Sequence, residues 1–124
     1  MQIEVFADNS LKTSEGFNQK IREVVESYFS GYESQVSRFI VHLHDENGPK
    51  VGIDDKRCLI EARVDNMPDV IATNYASDVM GAVEGACDKL SRGLESAIGK
   101  RRVRASHVEF NAEVEADYSP ELNG

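Results

Sequence analysis

Residues 2–7 (QIEVFA) alternate, with Ile3, Val5 and Ala7 on one side, the period of a short strand. Turn-formers follow at 8–14, where Thr13 or Ser14 is placed to cap a helix. Apolar residues then recur at Phe17, Ile21, Val24, Val25, Tyr28, Phe29 and Tyr32, steps of three and four that make one helical stripe, with Gly31 as its stop. Residues 36–44 are β-rich: Phe39, Val41 and Leu43 point one way, Arg38, Ile40, His42 and His44 the other. The run 45–55 is dense in turn-formers and reads as a long loop. Alternation resumes at 56–64, with Cys58, Ile60, Ala62 and Val64 on the core side, and 69–75 reads as a fourth strand whose faces the pattern leaves open. Ser77 is placed to cap a second helix, whose stripe is Val79, Val83, Ala86, Cys87, Leu90, Leu94, Ala97 and Ile98 and which runs to about Lys100. Gly81, Gly85, Gly93 and Gly99 weaken it, but a glycine on its packing side permits close approach to the sheet.

The order β-α-β-β-β-α predicts an α+β two-layer sandwich. The first βαβ unit makes strands one and two parallel, and hairpins add strands three and four antiparallel. Each helix has one apolar stripe, so both cover the same face of a four-stranded mixed sheet. The opposite face would carry Glu4, Phe6, Arg38, Ile40, His42, Leu59, Glu61 and Arg63, a mixture of apolar and charged groups.

A length of 124 residues fits one domain. No apolar run approaches the ~20 residues that cross a membrane, and MQIEVFADNS lacks the features of a signal peptide, so the expected compartment is the cytoplasm. Two cysteines, Cys58 and Cys87, are too few for a disulfide framework, and both fall on core stripes. The net charge of −8 argues at first against nucleic acid. The sum hides a pattern. Residues 105–124 hold five acids and no Lys or Arg, so the tail carries −5 and residues 1–104, with 14 bases and 17 acids, carry −3. Between Lys89 and Arg104, six bases face only Glu95. The expected division is therefore a folded domain over 1–104 and an acidic, disordered tail over 105–124.

Enzymatic motifs are lacking: there is no CxxC, G-x-S-x-G or P-loop. His42 and His44 sit beside Asp45 and Glu46, but no second ligand cluster has matching spacing, so neither a metal nor any other cofactor is expected. Asp54 and Asp55 lie in a loop and read as turn chemistry.

The second helix carries a recognisable pattern. Asp88-Lys89-Leu90-Ser91-Arg92-Gly93-Leu94, with the run from Asp78 before it, resembles the final helix of the ribosome hibernation-promoting factor and ribosome-associated inhibitor A family. The segment His42-Leu43-His44-Asp45-Glu46-Asn47-Gly48, followed by 54–63 (DDKRCLIEAR), is similar to a divergent branch of it. Met80 stands where the family often has an aromatic residue, and the first helix is less basic than usual. The resemblance covers roughly residues 1–104 and implies a double-stranded-RNA-binding-domain-like fold with no catalytic activity. It implies binding to ribosomal RNA of the small ribosomal subunit near the decoding centre, blocking mRNA and tRNA access under stress, without DNA or membrane partners. The short acidic tail is similar to that of ribosome-associated inhibitor A.

Such binding works mainly through phosphate and shape. Lys89, Arg92 and Lys100 lie off the apolar stripe, and Arg101, Arg102 and Arg104 extend the line past the expected helix end; Lys20 and Arg22 of the first helix are secondary candidates. The acidic tail is placed to compete with RNA for the basic segment. The alternative is a protein-interaction module of the same fold that has lost the ribosome and homodimerises through Phe6, Ile40 and Leu59 of the open sheet face.

Overall fold

The computed structural model describes residues 1–46 and 55–104, the last five of them as helical backbone only. Strand β1 (Gln2–Ala7) leads to helix α1 (Glu15–Phe29) and a 3-10 turn (Ser30–Tyr32). Strands β2 (Val36–Asp45), β3 (Lys56–Val64) and β4 (Val70–Ala76) follow, then helix α2 (Val79–Arg104). The sheet order is β1-β2-β3-β4, with β1 and β2 parallel and the other pairs antiparallel. This is the expected four-stranded mixed sheet. α1 packs on β1 and on α2, and α2 covers β3 and β4, so both helices share one face.

Local chemistry accounts for the boundaries. Ser14 Oγ accepts the Phe17 N–H at 3.0 Å and caps α1. Ile21, Val25 and Phe29 of the apolar stripe are fully buried, whereas Tyr28 stands at its margin, 39% exposed. α2 is capped by Asp78 rather than by Ser77. Asp78 Oδ1 accepts the Gly81 N–H at 2.9 Å, and its carbonyl accepts the Ala82 N–H at 3.1 Å, the first bond of a helix that begins at Val79. The helix also continues to Arg104, so Arg101, Arg102 and Arg104 are helical positions and do not follow the helix end. A register shift between Val36 and Arg38 brings Val36 to the core side with Phe39, Val41 and Leu43. β4 resolves its faces: Val70 and Ala72 are buried beneath α2, and Ile71 and Tyr75 are exposed on the other side.

The core forms between the sheet and the helices. Phe29 of α1 and Phe39 of β2 stack with ring centroids 4.6 Å apart, both with no exposed surface. Cys58 and Cys87 are buried free thiols. Burial pushes both thiols up, Cys87 to about 12, which makes them packing residues rather than nucleophiles.

The glycines of α2 do what their position suggests. A Cβ on Gly85 would lie 2.0 Å from Asn74 Nδ2 and 2.6 Å from its Cγ; one on Gly93 would meet Val70 Cγ1 at 3.2 Å. The helix therefore rides directly on β4, and Asn74 Nδ2 donates to the Ala82 carbonyl at 3.5 Å. Gly85→Ala is expected to destabilise the fold by about 1–3 kcal/mol despite alanine's better helix propensity, because Asn74 must leave its site. Adding Asn74→Ala should restore most of the loss in denaturant melts. A neutral Gly85→Ala would contradict this packing.

Candidate nucleic-acid interface

α2 presents Lys89 and Arg92 on its exposed side. Lys89 falls four residues after Gly85 and four before Gly93, on the row that faces β4, and its Nζ reaches the Thr73 carbonyl at 3.2 Å. Arg92 pairs with Asp88 one turn earlier, Nη1 to Oδ2 at 2.7 Å, with the two side chains 66% and 61% exposed. Exposed bonds of this kind are worth about 0–1 kcal/mol, so a phosphate can displace them. Positions 100, 101, 102 and 104 continue the same helix.

The secondary candidates stand apart from these. Arg22 of α1 is tied within its own helix, to Glu15 and to Gln19 Oε1 at 3.0 Å, whereas Lys20 is exposed. α1 packs on β1, the opposite edge of the sheet from the β4 edge that Lys89 reaches.

The open sheet face is more thoroughly self-paired than its composition suggests. Arg38 bonds Glu4 at 3.3 Å, His42 bonds Glu61 at 3.0 Å, and Arg63 reaches Glu61 at 3.5 Å and Asp69 at 3.1 Å. Both arginines and His42 are answered by carboxylates, which makes this face a poor phosphate site. Ile40, expected as one of its exposed apolar residues, is only 6% exposed. The exposed apolar groups are Phe6, stacked on His42 at 6.0 Å, together with Ile71 and Tyr75 on β4.

A third cluster joins the β1–α1 loop to the end of β2. His44 Nδ1 bonds Asp8 and lies 3.2 Å from Ser10 Oγ, and the Asp45 N–H donates to Ser10 Oγ at 2.9 Å. The residue types are those of a hydrolytic triad, but the connections are not. Ser10 gives its hydroxyl proton to Asp8, and both oxygens crowd one imidazole nitrogen, so no relay from serine through histidine exists. The Ser10 hydroxyl, then His44 and the Ser10 N–H, lower the Asp8 pKa to about 2. A depressed carboxylate pKa contributes stability that is complete above the ordinary range near ~4 and fades as pH falls toward about 2. An NMR titration of the Asp8 carboxyl should show its midpoint near that lower value; a midpoint near ~4 would contradict these hydrogen bonds to Asp8. Sequence spacing gave no signal for this cluster, because the parallel register of Ala7 with Leu43 is what brings the two segments together.

Asp45 lies on the opposite face from the histidines, buried, where Lys56 Nζ sits 2.8 Å from Asp55 Oδ1 and 3.5 Å from Asp45 Oδ2. These charges clamp the base of the β2–β3 hairpin. Among the described residues no group of three or more His, Cys, Asp or Glu side chains is placed to hold a metal ion. Residues 47–54, including Asp54, lie outside the described residues, as does the tail at 105–124. No helix in the described residues is long and apolar enough to cross a membrane.

The sheet order and the two helices on one face define the double-stranded-RNA-binding-domain-like class of sandwich. Two solved structures share it. The N-terminal domain of Protein Y from Thermus thermophilus matches with a TM-score of 0.58 at 18% identity, over 74% of this chain and 93% of that one. A ribosomal subunit interface protein from Coxiella burnetii matches with a TM-score of 0.52 at 17% identity, over 77% of this chain and 96% of that one. At these identities the likeness is one of fold. No protein-family model matches the chain, and no curated protein matches its sequence.

Proposed function

We propose that this protein is a ribosome-associated translation inhibitor of the hibernation-promoting factor and ribosome-associated inhibitor A family. It binds ribosomal RNA of the small subunit near the decoding centre and blocks mRNA and tRNA access. The observation that carries the reading is that two independent likenesses, one of fold and one of sequence pattern, meet in this chain. The fold is that of a solved ribosomal subunit interface protein, and the helix with the family-like sequence pattern, α2, also carries Lys89, Arg92, Lys100, Arg101, Arg102 and Arg104. The contact is made through phosphate and shape, at the α2 flank and the β4 edge, with Lys20 and Arg22 secondary. No catalytic step belongs to this function. Adding the protein to a cell-free translation reaction should stop initiation on new mRNA while leaving the message intact. Undiminished synthesis at protein in excess over ribosomes would count against the proposal.

The second reading is homodimerisation through the open sheet face. It is favoured by the exposure of Phe6, Ile71 and Tyr75 beside charges already neutralised within the face. Sedimentation equilibrium separates the readings: a monomer that binds small subunits supports the first, and a dimer that does not bind supports the second.

A further inference from the structure

Among the described residues β4 is an edge strand with one row of backbone groups turned outward. The Glu46 N–H bonds the Asp55 carbonyl, and continuing that ladder through β3 turns Val70, Ala72, Asn74 and Ala76 toward β3. Ile71, Thr73 and Tyr75 therefore present their N–H and C=O groups to the free edge. Lys89 occupies one of them, the Thr73 carbonyl. The edge is bounded by two unlike strips, exposed Ile71 and Tyr75 on the open face and the Lys89–Arg92 flank of α2 on the other.

The end of the chain has the matching pattern. Its composition reads as a solvating tail, but its order does not. The run VEFNAEVEADY (108–118) has an apolar or small residue at every even position and Glu, Asn or Asp at every odd one, and this unbroken period of two is a strand signal. We infer that residues 110–118 dock on the β4 edge of the same chain as a fifth strand, parallel to β4, with Phe110, Val114 and Tyr118 beside Ile71 and Tyr75 and with Glu113, Glu115 and Asp117 along the Lys89–Arg92 flank.

Length and direction both permit it. α2 passes Val70 at Gly93 and continues for 11 residues to Arg104, about 16 Å beyond the N-terminal end of β4. An extended chain recovers that distance in about five residues, which returns position 110 to the level of Val70. The nine residues 110–118 then run beside the seven of β4. β4 points the same way as β1, and α2 lies on the same sheet face as α1, so a β4–α2–strand crossover has the same hand as β1–α1–β2. The register is fixed by complementarity. A slip of one residue would set the acids beside Ile71 and Tyr75 and the apolar side against the lysine. Pairing takes the Thr73 carbonyl from Lys89 and gives that ammonium a carboxylate instead. The docked strand thereby covers Lys89 and Arg92, an autoinhibitory consequence that rests on the RNA-binding reading; the strand itself does not.

The test is amide hydrogen exchange by NMR on the full-length chain, without RNA. The Ile71, Thr73 and Tyr75 amides should be protected, and Asn111→Pro/Glu115→Pro, which removes two inward-facing N–H groups of the added strand, should speed their exchange at least about tenfold. The Ala72 and Asn74 amides, bonded to β3, should be unchanged and report an intact fold. Exchange of the outer amides at the unprotected rate in the parent chain would overturn the proposal, as would protection that survives the double variant. Protection that rises with protein concentration would also overturn it, by assigning the strand to a second copy.

Discussion

Lys89→Glu/Arg92→Glu is expected to weaken small-subunit binding by about 10–100-fold and to flatten its salt dependence. Each cation that neutralises a phosphate contributes about 0.7–0.9 to the slope of log K against log salt, so losing two lowers the slope by roughly 1.4–1.8. Reversing the charges adds repulsion to the loss. Both side chains are exposed, and their present partners, the Thr73 carbonyl and Asp88, are surface contacts, so the fold should tolerate the change. Lys12→Glu, a charge reversal in the β1–α1 loop, controls for the general effect of negative charge. An equal loss in both variants would mean that net charge, rather than the α2 flank, governs binding.

Phe29→Ala is expected to cost about 3–5 kcal/mol, the range for deleting a fully buried aromatic side chain. Phe29 closes α1 onto the sheet: its ring stacks on Phe39 at 4.6 Å and also meets Tyr32 and Tyr28. No neighbouring chain end can collapse into the space, because Phe39 is held in the centre of the sheet between β1 and β3. Against a typical domain stability of about 5–15 kcal/mol, a loss of this size should lower the denaturation midpoint markedly. A loss below ~1 kcal/mol would show that the α1–sheet contact is not the anchor it is taken to be.

The fold was legible because its signals are local and periodic. β1 and β3 begin and end where their alternation does, and the stripe of α1 contains the buried residues Ile21, Val25 and Phe29. Signals that depend on a choice between neighbours were weaker. Ser77 and Asp78 are both capping residues, and only the position of the Gly81 N–H decides between them. The polar run after Lys100 gave no apolar stripe to follow, so the last turn of α2 was not legible. The side of Val36 depended on a bulge that alternation cannot announce. For the candidate site, the sequence located the cations but not their engagements. The Lys89–Thr73 bond requires knowing which β4 carbonyls face the free edge, and the pairing of Arg38, His42 and Arg63 with Glu4 and Glu61 requires the cross-strand register. The net charge is the least informative signal, since it averages a helix rich in Lys and Arg with an acidic tail.

On the proposed reading, a chain of net charge −8 binds the small ribosomal subunit through one basic flank. Co-sedimentation of the full-length protein with purified small subunits, across a salt series, tests it most directly. The expected result is stoichiometric recovery with the subunit pellet at low salt, declining steeply as salt rises. Folded protein that stays in the supernatant even at low salt would contradict the account.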